Sequence, residues 1–198
     1  MTLLAAAGLA YLVGAIPVGY LVGRAFGIGD IRRHGSGTIG ATNVLRTAGR
    51  LPAVLTLVGD VVKGATAVAL GGAWAGGEGR VAAACALAAI VGNCWSIFLG
   101  LRGGKGVATG LGAFLALVPW AVLPAALVWL VVVATFRYVS LASVTSAACV
   151  PFGAFALGYP RPSVVACALG AAVVVARHRD NLARLTAGTE RRLGQRAG

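Results

Sequence analysis

The residues able to do chemistry in this 198-residue chain fall in a few short polar segments. The first reads GDIRRHGSGTIGATNVLRTAGR at 29–50. Glycines at 35, 37 and 40 let backbone N–H groups turn toward one point. Ser36 and Thr38 add hydroxyls, and Asn43 and Arg46 follow. A helix beginning near Ala41 would bring its positive dipole end to the same place, which suits an anion, phosphate above all. On this stretch Ser36, Gly37, Asn43 and Arg46 are the candidate binding residues. The same composition also fits a flexible glycine loop edged by solvated arginines, and the loop alone does not choose. GSGTIG matches the dinucleotide pattern, with Asp60 at about the expected distance, but that pattern has meaning only after a strand in a βαβ unit. The flanks here are apolar helices, and a nicotinamide site is excluded.

The second segment, GLRGGKGVATG at 100–110, places Gly103, Gly104 and Gly106 around Lys105, with Thr109 in the helix that follows. A Walker loop needs Ser or Thr after its lysine, and Gly106 stands there, so ATP hydrolysis is disfavoured. What remains is a second candidate cradle for an anion. RYVSLAS at 137–143 offers Ser143, and RHRDNLARLTAGTE at 177–190 offers His178 and Asn181, three apart and so on one side of a continuing helix. The bland reading of that last segment is a basic tail on anionic headgroups, at about 1 kcal/mol per basic residue. Asp60 and Lys63 lie three residues apart inside an apolar run. Charge within a membrane is costly, and the favoured role for this pair is support of the loop above it.

These residues need elements to hold them, and the composition says which. Apolar residues make up 59% of the chain and charged ones 11%, against roughly 25% charged in a soluble domain. Lipid is the solvent that such a chain requires. With about 20 apolar residues needed per crossing, spans are expected near 2–24, 51–75, 80–100, 106–118, 120–136, 141–158 and 162–177. The expectation is an all-α, polytopic integral membrane protein with seven transmembrane helices, forming a single membrane-embedded domain over 1–198. Pro119-Trp120 suggests a tight turn with Trp120 at an interface. Charge follows the apolar run that ends at Arg24 instead of preceding it, so that run reads as an uncleaved span and not a signal peptide. Arg80 and Arg161 fall on one side and Lys63 inside a span; the other 14 of the 17 Lys and Arg share the opposite side. That bias marks the cytoplasmic face, with the N-terminus outside and the C-terminus inside.

The net charge of +12 does not signal nucleic acid, because the basic residues sit between spans without interleaved aromatics. Cys85, Cys94, Cys149 and Cys167 have no paired spacing and only two histidines accompany them, so neither a metal site nor a cofactor is expected. Cys94, near a span end, is the one thiol singled out for a test of reactivity.

GSGTIGATNVLRTAG, VGDVVKG, GGKGVATG, RYVSLAS and RHRDNLARLTAGTE, in that order, resemble the PlsY family, the bacterial acylphosphate:glycerol-3-phosphate acyltransferases. The similarity runs the length of the chain. It implies a seven-helix enzyme of the bacterial plasma membrane with its site facing the cytoplasm. The implied reaction moves a fatty acyl group from acyl phosphate to glycerol 3-phosphate, giving lysophosphatidic acid and phosphate. The implied partners are membrane lipids and these two substrates, with the protein acting as a monomer. Carried over by residue, the family's functional positions fall on Ser36, Arg46, Lys105, Ser143, His178 and Asn181. The chain departs from the family at Asn93, where histidine is usual, at Ser96 for proline, at Thr38 for asparagine and at Arg102 for lysine. Neither H-x-x-x-x-D nor a G-x-S-x-G elbow occurs. The rival readings are a transporter or scramblase for a phosphorylated solute or lipid, and a catalytically silent relative that binds phospholipid.

Overall fold

A computed structural model describes residues 2–74 and 79–195. The last residue of the expected second span, Ala75, and Arg196 of the basic tail lie outside the described residues. Within them the fold is all-helical: α1 (Leu3–Ala15), α2 (Val18–Ala25), α3 (Ala41–Ala48), α4 (Arg50–Trp74), α5 (Gly79–Cys94), α6 (Val107–Leu117), α7 (Pro119–Phe136), α8 (Val139–Ala156), α9 (Arg161–Arg177) and α10 (Arg179–Thr186). Short 3-10 turns at Ile31–Arg33 and Ile97–Leu99 lie in the two polar loops.

Helices occupy all seven expected stretches. Among the described residues five are long and apolar enough to cross a membrane, those over Leu3–Ala25, Arg50–Trp74, Gly79–Leu99, Pro119–Phe136 and Val139–Ala156. The fourth stretch is different: α6 has 11 residues, about 16 Å at 1.5 Å each, well short of the ~30 Å apolar core. α9 has 17 residues. The first stretch is broken at Ile16 and Pro17, because Pro17 has no N–H to continue the ladder. Pro119 opens α7 as its first residue, and Trp120 beside it is 69% exposed.

Between lipid-solvated helices apolar transfer offers little drive, and close backbone packing does the work. α1 meets α5 and α4 meets α6 through glycine. A Cβ on Gly14 would strike the Ala89 backbone, and one on Gly92 the Tyr11 carbonyl. Gly64 stands in the same relation to Thr109, and Gly112 to Val61. α7 packs on α8 and α8 on α9, while α9 also contacts α5 and so joins the two groups. Large apolar side chains turn outward, among them Leu55, Val58, Leu127, Leu130, Phe152 and Phe155, as the lipid-facing surface requires. The cysteine expectation is corrected here: Cys94 is fully buried beneath Gly106, and Cys149 is the only one of the four that is partly exposed.

Candidate active site

The two polar loops meet. Asp30 caps the first 3-10 turn by accepting from Arg32 N at 3.0 Å, and its carboxylate also pairs with the Arg32 guanidinium at 2.7 Å. The Arg32 hydrogen bonds hold the Asp30 carboxyl down at about 2. Arg32 also donates from Nη1 to the Leu99 carbonyl at 3.2 Å, which ties the first loop to the second. Asn43 then folds the first loop around itself. Its Oδ1 accepts from Ser36 N at 2.7 Å, and its Nδ2 points at three carbonyls, those of Thr38 (2.7 Å), His34 (3.1 Å) and Ile31 (3.2 Å). At 1% exposed, this amide is an organiser of the loop, committed on both ends to backbone.

That geometry corrects the expectation of two glycine nests. Ser36 N bonds to Asn43, and Gly37 N donates to the His34 carbonyl at 3.1 Å. In the second loop Gly103 N donates to Cys94 O at 3.2 Å and Gly104 N to Asn93 O at 2.9 Å. These glycines permit close approach to the end of α5, since a Cβ on Gly103 would strike the Asn93 carbonyl. Their N–H groups are therefore not offered to an anion, and Gly37, Gly103 and Gly104 do not line the site. Thr109 is also turned away, fully buried where α6 crosses Gly64.

The donors come instead from helix starts. The first N–H groups of a helix have no partner within it. Ala41 and Thr42 at the start of α3, and Val107 and Ala108 at the start of α6, line one cavity of about 420 Å³. Ser36, Arg46, Lys105, Ser143, His178 and Asn181 line it as well. Gly106, at φ 80°, makes the turn that brings Lys105 onto α6. Arg177 steadies this loop from α9, donating to Gly104 O at 3.2 Å while its guanidinium lies 5.5 Å over the Trp95 ring.

α9 ends at Arg177, and the chain turns at His178 into α10, so both His178 (3% exposed) and Asn181 (6%) face inward. Lys105 Nζ donates to Asn181 Oδ1 at 2.5 Å, and Asn181 Nδ2 donates to Glu190 Oε1 at 2.7 Å. Burial, with Arg184, Arg46 and Arg177 nearby, brings the Lys105 ammonium down to about 8 despite Glu190. The His178 Nδ1 lies 2.7 Å from the Val174 carbonyl, which can only accept, so Nδ1 carries the proton and Nε2 is left as an acceptor. Burial and the Lys105 charge hold this imidazole down at about 4, uncharged at neutral pH. Ser143 donates to Val139 O at 2.7 Å within α8 and accepts from Trp129 Nε1 at 3.3 Å.

The model of the glycerol-3-phosphate acyltransferase family matches residues 4–188. The chain belongs to that family. It is 47% identical over 190 residues to the glycerol-3-phosphate acyltransferase of Rubrobacter xylanophilus, covering 96% of this chain and 94% of the relative. With glycerol-3-phosphate acyltransferase 2 of Moorella thermoacetica it shares 50% over 189 residues, 96% of each chain. Two crystal structures of PlsY, an integral membrane glycerol 3-phosphate acyltransferase, superpose on it at 36% identity. The glycerol 3-phosphate form gives a TM-score of 0.92 and the lysophosphatidic acid form 0.90, each covering 98% of this chain and 96% of the other. The chain thus has the integral membrane fold of that family.

Sequence reasoning missed Glu190. It sits 8% exposed at the centre of the polar end, accepting from Asn181, from Ser140 at 2.8 Å and from Arg184 at 2.8 Å. Burial alone would raise its pKa, but the hydrogen bonds from Asn181, Ser140 and Arg184 outweigh burial and lower it. Its position in a basic tail of ordinary appearance hid it; the signal available was one of only two acids, Asp180 and Glu190, among six arginines. The Asp60–Lys63 pair, 2.8 Å apart, does more than brace a loop. Lys63 also donates to Ile16 O at 2.7 Å and to Asn93 Oδ1 at 2.9 Å, and Ser96 donates to Ala15 O at 2.6 Å. Between them Lys63 and Ser96 take up two carbonyls at the break before Pro17.

Proposed function

We propose that the protein transfers a fatty acyl group from acyl phosphate to glycerol 3-phosphate, releasing lysophosphatidic acid and phosphate. The observation that carries this reading is the convergence of two helix starts, α3 with Arg46 and α6 with Lys105, on one cavity. Two phosphate-bearing substrates require two such anion sites within reach of each other. The cavity continues between apolar residues of α6, α7 and α8, including Phe114, Val122 and Val150, as an acyl chain requires.

In this reading Arg46 and Ser36, with the α3 start, hold one phosphate. Lys105 and the α6 start stabilise charge on the departing phosphate, fixed in advance and shielded from water. The glycerol hydroxyl oxygen attacks the acyl carbonyl, a carbon–oxygen ester bond forms, and the bond from that carbon to the phosphate oxygen breaks. No covalent enzyme intermediate is required, because the donor is already an anhydride. The hydroxyl proton must move as the ester forms. His178 at about 4 is a weaker base than a phosphate whose second pKa is about 6, so the proton ends on the released phosphate. His178 Nε2 orients the hydroxyl by accepting its hydrogen bond, and Asn181 and Ser143 hold Lys105 and the cavity wall in register.

The same reading takes the chain as a monomer in the bacterial plasma membrane, with seven spans, the N-terminus outside and the site facing the cytoplasm. The basic bias of the loops supports that orientation. The test is purified protein given acyl phosphate and glycerol 3-phosphate, with phosphate and lysophosphatidic acid followed together. Equimolar release, absent with acyl-CoA or acyl carrier protein, is the expected result. Release of phosphate without lysolipid, or turnover on acyl-CoA alone, overturns it.

A further inference from the structure

One buried polar side chain in the cavity wall has a donor that the mechanism above leaves unused. Asn93, near the end of α5, is 4% exposed and lines the cavity. Its orientation is decided by Lys63. An ammonium only donates, so the atom 2.9 Å from Lys63 Nζ must be the amide oxygen. Nδ2 is therefore the end turned away from α4, beside Gly104 and next to Lys105: a Cβ on Gly104 would lie 2.9 Å from it. Among the described residues no protein acceptor serves Nδ2, whereas the neighbouring buried amides Asn43 and Asn181 are bonded at both ends. With no protein acceptor and not sealed from the cavity that Asn93 lines, Nδ2 is free to donate to a molecule bound there.

The surroundings also make Nδ2 a strong donor. Lys63 pulls electron density toward Oδ1, and chains of hydrogen bonds strengthen one another in a low dielectric. Asp60, 2.8 Å from Lys63, balances the ammonium charge and holds it in place. Asp60, Lys63 and Asn93 thus form a relay that delivers a polarised, neutral N–H to the cavity wall beside Lys105.

We propose that Asn93 Nδ2 donates a hydrogen bond to the head of the acyl-phosphate donor, at an oxygen that gains negative charge during transfer. The assignment rests on the acyl-transfer reading above. It picks the acyl donor over glycerol 3-phosphate because Nδ2 lies beside Gly104, in the Lys105 loop that the reading above gives to the departing phosphate. Lys63 and Asp60 are then positioning residues that act through Asn93.

The variants Asn93→Asp and Asn93→His separate this role from a structural one. Aspartate keeps an acceptor for Lys63, so a residue that merely anchored Lys63 would tolerate the change. As a donor it fails and it repels the anion. The expected result for Asn93→Asp is a fall of 100-fold or more in kcat/KM for acyl phosphate, with KM for glycerol 3-phosphate within threefold of the parent. Histidine can accept from Lys63 through one ring nitrogen and donate through the other, and it should recover at least tenfold over Asn93→Asp at pH 8. If Asn93→Asp does not fold in detergent, Asn93→Ala carries the same expectation, because Lys63 retains Asp60 and Ile16. Asn93→Asp within threefold of the parent, a loss confined to the KM for glycerol 3-phosphate, or no recovery in a folded Asn93→His each overturn the proposal. Failure of the parent protein to turn over acyl phosphate is a separate outcome, and it removes the underlying reaction and this assignment together.

Discussion

The α3 and α6 anion sites reach the same end by different means. At α3 the loop is shaped by one side chain, Asn43, and among the described residues the cation, Arg46, makes one hydrogen bond, at 3.5 Å to the Arg191 carbonyl. At α6 the loop is shaped by backbone pressed on backbone through Gly103 and Gly104, and the cation, Lys105, is gripped by Asn181 at 2.5 Å. A loosely held guanidinium adapts to an incoming phosphate. A gripped ammonium is in place before charge develops, which is the condition for lowering a barrier. On the proposed reading, that difference suits α3 to capture and α6 to the reacting centre.

The largest effect should come from removing the gripped cation. Lys105→Ala should lower kcat by about 10³-fold, since a single preorganised donor already accounts for 10²–10³. Steady-state rates with both substrates saturating check it, and a change in KM alone would abolish the distinction between the two sites. Next is Gly103→Ala. Its methyl meets backbone oxygens of Asn93 and Cys94, neither of which can swing aside, so the Lys105 loop must shift. A displacement of about 1 Å at a reacting centre costs about 10²-fold in rate.

The pH profile reads the same site. Lys105 has its pKa lowered to about 8, so it loses its proton, and with it its charge, as pH rises through that value. Turnover at pH 9 should be about a tenth of its value at pH 7. His178, at about 4, stays neutral over this range, so its ring should show no titration between pH 7 and pH 5 and gain a proton only nearer 4. A ring titration of His178 near 6.5, followed by NMR of the labelled imidazole, would contradict a buried, uncharged imidazole.

Arg46→Ala sharpens the comparison from the other side. It should raise KM for glycerol 3-phosphate about tenfold, with kcat changed less, the mark of binding lost equally from ground and transition states. Asn43→Ala should act on stability first. It removes the organiser of the α3 loop and leaves several backbone groups unpaired, a loss of about 2 kcal/mol visible as earlier thermal unfolding in detergent. A variant with unchanged melting would show that the loop does not depend on this amide.

Much of the fold was legible because lipid imposes a simple rule: apolar stretches of set length, with cations biased to one side. Local signals were legible too. The helix start at Ala41, the turn at Pro119 and the inward set of His178 and Asn181 follow from glycine, proline and three-residue spacing. Hydropathy reports apolarity better than reach, and α6, the fourth stretch, has 11 residues against the roughly 20 of a full crossing. Glycine pattern was also ambiguous: Gly103 and Gly104 are there to admit the end of α5 and not to cradle an anion.

Composition and hydropathy period act locally, and they establish that the chain is helical, belongs in lipid and keeps its candidate anion-binding residue types in short basic segments. Which groups face one another is set by the packing of the helices. Glu190 beneath Asn181, Lys63 closing the break at Pro17 and the Asn93 amide turned toward Lys105 are contacts between elements far apart in sequence. The direction of a donor is a property of such contacts, because a buried polar group points wherever its partners from other helices oblige it to point.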